Sequence, residues 1–126
     1  MGIVHAEITL KNARNDSIAP VTVTAVVDTG SMYLVITEEL CQKLGLGIRG
    51  EKTARIANGQ RVTCKRTDAV EVLWKNRDAV IPALVIPGAE EVLLGALPLE
   101  DMDLMVNPVT QELVGIHGDE VEYQVY

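Results

Sequence analysis

The stretch Val26-Val27-Asp28-Thr29-Gly30-Ser31 decides how this chain is read. It closes an apolar, β-branched run over residues 18–27 that carries Val21, Val23, Val26 and Val27. Side chains of that kind fit the pleated, half-buried surface of a strand. The run ends directly on a carboxylate. A charge at the end of a buried strand is costly to desolvate unless it is paired or hydrogen-bonded, so Asp28 is the first candidate for chemistry. Gly30 permits a sharp change of chain direction. Thr29 and Ser31 bring hydroxyls that can hold the carboxylate. The plainer alternative is an ordinary turn, since Asp and Gly are common turn residues.

Outward from this stretch, the pattern is one of short strands between turn signals. Residues 2–10 alternate weakly and end in the polar run 11–16, which reads as a turn. Residues 32–36 form another short apolar run. Thr37 to Gly45 carry the clearest helix signal: a capping threonine, Glu38 and Glu39 in the first turn, Lys43 in the last, and Gly45 as the stop. Residues 52–57 and 60–66 flank Asn58-Gly59, a strong two-residue hairpin signal. A second hairpin is expected from residues 69–74 and 79–86 around Lys75-Asn76-Arg77. Val92-Leu93-Leu94 reads as a buried strand ending at Gly95, with a short helical turn near Pro98 to Asp101. Strands are expected at 103–106 and 111–115 around Asn107-Pro108, and residues 121–126 alternate as an edge strand would. The result is an all-β domain with one short helix, a sandwich or partly closed barrel spanning residues 1–126.

Composition narrows the function classes. Hydrophobic residues make up 48% and charged residues 23%, with no Phe, one Trp and three Tyr; the core must be aliphatic. The net charge of −7 argues against nucleic acid and against anionic membranes as partners. Cys41 and Cys64 have no metal-type spacing and read as free thiols in a reducing compartment. The N-terminal residues lack the basic and apolar regions of a signal peptide, and Ala6 breaks the myristoylation pattern that Gly2 begins. With no run of about 20 apolar residues, the expected location is cytoplasmic.

The ordered set of Asp28-Thr29-Gly30-Ser31 in an apolar run, a helix ending in Leu44-Gly45-Leu46, a hairpin at Ala57-Asn58-Gly59, and Leu93-Leu94-Gly95 resembles the retropepsin-like aspartic proteases, small prokaryotic members above all. The likeness runs from about residue 20 to residue 115. It implies an acid-protease half-barrel that forms a two-fold homodimer. Asp28 matches the catalytic aspartate, Thr29 the residue that braces the paired loops across the axis, and Gly30 the glycine that lets those loops approach. Ser31 and the hairpin residues Ala57, Asn58 and Gly59 match substrate-contacting positions, the hairpin being the flap. Leu93-Leu94-Gly95 matches the element that threads behind the catalytic loop. The hairpin is less glycine-rich than viral flaps, and residues 1–15 and 116–126 lie outside the likeness. Because Asp-Thr-Gly occurs once, two subunits must each contribute a carboxylate. The chemistry implied is peptide hydrolysis by activated water, with no metal and no cofactor.

Other groups carry weaker signals. His5 and His117 lack metal-ligand spacing and are expected at the surface. Glu100, Asp101 and Asp103 are expected to form a solvated helix start. Ser31 has no nucleophile-elbow context, and neither cysteine has a nearby histidine to activate it. Two further readings stand beside the endopeptidase: a catalytically weak peptide-binding module on the same fold, and a β-rich structural protein whose Asp-Thr-Gly is a plain turn.

Overall fold

The computed structural model describes residues 3–56 and 58–122. Seven strands form one sheet: β1 (Val4–Asn12), β2 (Val21–Val27), β3 (Leu34–Ile36), β4 (Ile48–Arg55), β5 (Arg61–Trp74), β6 (Arg77–Val85) and β7 (Val92–Leu94). Their order is β1-β2-β7-β3-β6-β5-β4, and an additional β1–β5 pairing closes the first six into a ring. Strand β4 hangs from β5 outside that ring. Helices α1 (Glu38–Lys43) and α2 (Ala96–Asp101) follow β3 and β7, and β8 (Leu104–Asn107) pairs with β9 (Glu112–Gly115) in a separate hairpin.

Closure depends on β1 changing partner. Val4 to Leu10 pair with β2, while Thr9 to Asn12 pair with β5. The sequence pattern placed a turn at Lys11 because the residues become polar there. Instead Asn12 is buried, and its side-chain amide donates to the Leu44 carbonyl at 2.8 Å. A polar side chain thus continues the strand by satisfying the end of α1, whose last carbonyls have no partner within the helix. Gly45, at φ 60°, reverses the chain there. At the other end Thr37 accepts from the Leu40 amide at 3.1 Å, as its capping position predicts.

Other expectations shift in informative ways. The strands expected at 60–66 and 69–74 are one strand, β5, with an irregularity between Arg66 and Ala69. Buried Thr67 fills the gap, its hydroxyl accepting from the Ala83 amide at 3.0 Å. The turn expected near Pro98 is a second helix, α2, which starts at Gly95 without a side-chain cap. Val121 and Glu122 lie in no strand, and residues 123–126 of the expected edge strand lie outside the described residues.

The core is aliphatic, with Ile8, Leu10, Leu34, Ile36, Leu44 and Leu94 almost wholly buried. Each such side chain contributes about 1.5–3 kcal/mol over its exposed state. A polar anchor ties the C-terminal hairpin to this body. Buried Arg77 donates to the carbonyls of Met102 and Asp103 at 3.0 and 2.8 Å and also reaches that of Gly118. Asp103, expected in solvent at a helix start, is buried just beyond the end of α2, with its carboxylate 3.8 Å from Arg77. His117 is exposed, as expected, but is tied down by an unforeseen partner, with Nδ1 2.8 Å from Asp103 Oδ2. That hydrogen bond, opposed by desolvation, lowers the Asp103 carboxyl and raises the His117 imidazole from their ordinary values.

The most confined point of the fold is Gly95. A β-carbon there would sit 2.5 Å from the Tyr33 carbonyl oxygen and 2.7 Å from that of Ser31. Gly95→Ala is therefore expected to cost about 1–3 kcal/mol or more by overpacking, read as a lower urea midpoint; an unchanged midpoint would show that the loop can yield. The His117–Asp103 pair sets a pH window. The His117 contribution is complete below the free-imidazole value and fades as pH rises through its raised native value. The Asp103 contribution is complete above the ordinary carboxylate value and fades as pH falls toward its lowered one. Thermal stability should thus decline as pH rises past about 6.5, and His117→Gln should flatten that limb. An identical decline in the variant would assign it to other groups.

Candidate active site

Strand β2 delivers Asp28 into a tight turn. The Asp28 amide donates to the Leu94 carbonyl at 3.1 Å, and the Ser31 amide donates to the Asp28 carbonyl at 3.1 Å. The carboxylate is held from within the turn: its Oδ1 accepts from the Gly30 amide at 3.0 Å. Among the described residues neither Thr29 nor Ser31 offers its hydroxyl to Asp28. In so short a loop the amide two residues on already lies within reach, as in other Asx turns. Gly30 is needed for room, since its φ is not positive and a β-carbon there would lie 3.3 Å from Asp28 Oδ1. Asp28, Thr29 and Gly30 are all exposed in the single chain.

The rest of the loop is fastened to the segment after β7. Gly95, Ala96 and Leu97 donate their amides to the carbonyls of Tyr33, Ser31 and Met32, at 3.1, 2.8 and 2.9 Å. The sheet explains why these segments meet. Strand β7 lies between β2 and β3, parallel to β2 and antiparallel to β3. Its end must then emerge beside the loop that joins those two strands. Leu93-Leu94-Gly95 therefore threads behind the Asp28 loop.

Asp28, Gly30 and Ser31 line a cleft of about 630 Å³, a size typical of ligand sites. Its walls are largely apolar, including Val35, Ile56, Leu84, Ile86 and Leu93. Its cover is the end of β4 and the residue after it, Lys52 to Ile56. Lys52 joins this cover to the body: its Nζ lies 3.4 Å from the Tyr33 hydroxyl and 5.2 Å from the centre of that ring. A slightly larger hollow of about 670 Å³ beside α1 lies away from Asp28 and is lined by four glutamates. Of the two, the Asp28 cleft is the one that holds a carboxylate fixed by a main-chain amide, and it is the candidate site.

The structure gathers part of the sequence-derived site. Asp28, Gly30 and Ser31 line the cleft, but Asn58 and Gly59 do not; they are exposed at the hairpin tip. Ala57 lies outside the described residues. The turn is also longer than a two-residue Asn-Gly turn, because Ile56 donates to Gln60 at 2.9 Å and Gly59 donates to Ile56 at 2.9 Å. The cleft-lining residues Lys52 to Ile56 went unrecognised in the sequence. Part of their signal was available: Ala54 and Ile56 alternate with the polar Thr53 and Arg55, the pattern of a strand with one face inward.

Groups away from the cleft offer little reactive chemistry. Cys41 and Cys64 are buried free thiols, and burial pushes both above the ordinary value, away from the nucleophilic thiolate. His5 is exposed on β1. Among the described residues, no three or more His, Cys, Asp and Glu side chains gather as metal ligands would.

This arrangement has counterparts among known proteins. The EIAV protease, in a structure complexed with the inhibitor HBY-793, superposes with a TM-score of 0.62 at 20% identity, covering 79% of this chain and 88% of that one. Its fold is thus the retropepsin-like fold. No curated protein matches this sequence. The family model described as aspartyl protease matches residues 12–116, a stretch that includes the Asp28 loop, the hairpin above it and the Gly95 segment behind it. A plain turn in an unrelated structural protein does not account for such a match, and the chain belongs to the aspartyl protease family.

Proposed function

We propose that this chain is an aspartic endopeptidase acting as a homodimer, with one domain spanning residues 1–126 and Asp28 of each subunit forming the catalytic pair. The observation that carries this reading is the position of Asp28: a carboxylate held by the Gly30 main-chain amide, lining an apolar cleft under a hairpin. A single carboxylate is half of the required machinery. The exposed Asp28-Thr29-Gly30 loop has Met32 and Leu97 beside it, 57% and 41% exposed, and apolar groups in that position suit burial against a second copy.

Two carboxylates brought within a few Å share one proton, because both cannot ionise readily. The ionised member takes a proton from water, and that water attacks the peptide carbonyl carbon. The protonated member donates a hydrogen bond to the carbonyl oxygen. Collapse of the tetrahedral intermediate breaks the C–N bond, with a proton delivered to the leaving amine. Thr29 braces the paired loops, and Gly30 leaves space for them to approach. Ser31 and the flap residues Ala57, Asn58 and Gly59 hold an extended peptide by strand-like hydrogen bonds and exclude water. A reducing cytoplasm suits the two free thiols. Among the described residues, no helix is long and apolar enough to cross a membrane.

The test is cleavage of an unfolded protein between about pH 3 and pH 8, wild type beside Asp28→Asn, since a shared proton makes the rate pH-dependent. Wild type should cleave, and the variant should lose about 10²–10⁴-fold or more in rate with an unchanged urea midpoint. Equal cleavage by both proteins would end the reading. Tight binding of a pepstatin-like inhibitor without turnover would favour a peptide-binding module instead. Sedimentation should find a dimer under the conditions of cleavage; an active monomer would refute the shared site.

A further inference from the structure

The charges of this chain are segregated. Six of its eleven Lys and Arg, but one of its eighteen Asp and Glu, fall within residues 48–66, the β4–β5 hairpin over the cleft. That stretch carries +5 in a chain of −7, which leaves −12 elsewhere. Its cations are poorly neutralised. Among the described residues, Arg49 alone of the six meets a carboxylate within ion-pair distance, that of Asp68. Lys52 and Arg55 line the cleft itself, where Asp28 is the sole acidic residue.

The register sharpens the point. Arg55 and Arg61 are directly opposed across β4 and β5. Like charges in that position destabilise a strand pair, and neither meets a carboxylate among the described residues. Arg55 donates instead to the Gly59 carbonyl at 3.3 Å. Both arginines are exposed, so their forks are available to an anion, and the guanidinium group suits bidentate binding of a carboxylate.

We propose that the substrates of this site are acidic peptide segments, with Asp or Glu flanking the apolar residues at the cleaved bond. The inference rests on the endopeptidase reading and names its substrate class. The hairpin attracts the acidic segment while the strongly negative body repels it, which steers the peptide toward the cleft. Arg55 and Arg61 take a flanking carboxylate at the outer part of the hairpin. Lys52, beside Tyr33, adds positive potential to the cleft wall. A nucleic acid is the less favoured anion, because the positive surface is one hairpin on an acidic body and shares the apolar cleft.

The test uses three peptides with the same apolar pair at the cleaved bond and flanking Glu, Gln or Lys. The full chain is assayed at about pH 6, where Glu remains ionised. Wild type should show kcat/KM about tenfold higher for the Glu peptide than for the Gln peptide, and lower still for Lys. Salt raised from about 50 to 500 mM should compress these ratios. Arg55→Gln with Arg61→Gln should bring the Glu/Gln ratio to within about twofold, and Arg55→Glu with Arg61→Glu should turn the preference toward Lys. Equal cleavage of the Glu and Gln peptides by wild type would overturn the proposal. So would a preference that survives the double substitution, including the case where the arginines prove to hold the dimer together in sedimentation. Failure of the underlying reading looks different: no peptide is cleaved. Anisotropy with labelled peptides and the Asp28→Asn protein then decides. Tighter binding of the Glu peptide upholds the acidic class; equal binding, or tighter binding of a single-stranded DNA oligomer, overturns it.

Discussion

The contact between Gly95 and the loop after Asp28 is the constraint on which the site depends. Four main-chain hydrogen bonds join residues 94–97 to residues 28–33, and they form only if the two backbones nearly touch. A side chain at position 95 would collide with the carbonyls of Ser31 and Tyr33. Insertion of β7 between β2 and β3 creates this approach. The loop is thus fixed by backbone from behind while its carboxylate is fixed by the Gly30 amide. A carboxylate preorganised in this way need not be ordered when a ligand arrives.

Polar side chains complete what the aliphatic core begins. Asn12 satisfies the end of α1 and lets β1 run on to close the ring with β5. Thr67 replaces a missing ladder bond in β5. Arg77 and Asp103 secure the C-terminal hairpin. A buried polar group left unpaired costs about 1–3 kcal/mol, so each of these positions fixes one arrangement of its neighbours. The hairpin over the cleft contrasts with them. Its outer strand β4 is attached along one edge, to β5, and five of the hairpin's six cations are exposed. A cover for an exchanging ligand is expected to come from such a weakly held part of a fold.

Two elements show where sequence reasoning stops. Helix α1 was legible because its signals are local: a capping hydroxyl, acids first, a lysine last and a glycine stop. Helix α2 has none of these, and its start at Gly95 is set by hydrogen bonds to a loop more than sixty residues earlier. Asp103 and His117 follow the same rule. Each reads as a surface polar residue until the fold places them 2.8 Å apart.

The sequence by itself determined the strand-rich class, the position of Asp28 at the end of an apolar strand, and the sharp turn that Gly30 permits, because β-branching and turn chemistry are properties of neighbouring residues. It also contained the charge imbalance of the hairpin. Tertiary structure alone decided that β1 changes partner so that the six strands close into a ring, that the Ser31 and Tyr33 carbonyls leave no room for a side chain at position 95, and that Lys52 to Ile56, not the Asn58-Gly59 tip, line the cleft of the single chain. It also decided that Arg55 faces Arg61. These are matters of register and long-range contact: a shift of one residue between β4 and β5 would change every facing pair, and the turn that sets this register is longer than the two-residue turn that Asn58-Gly59 signals.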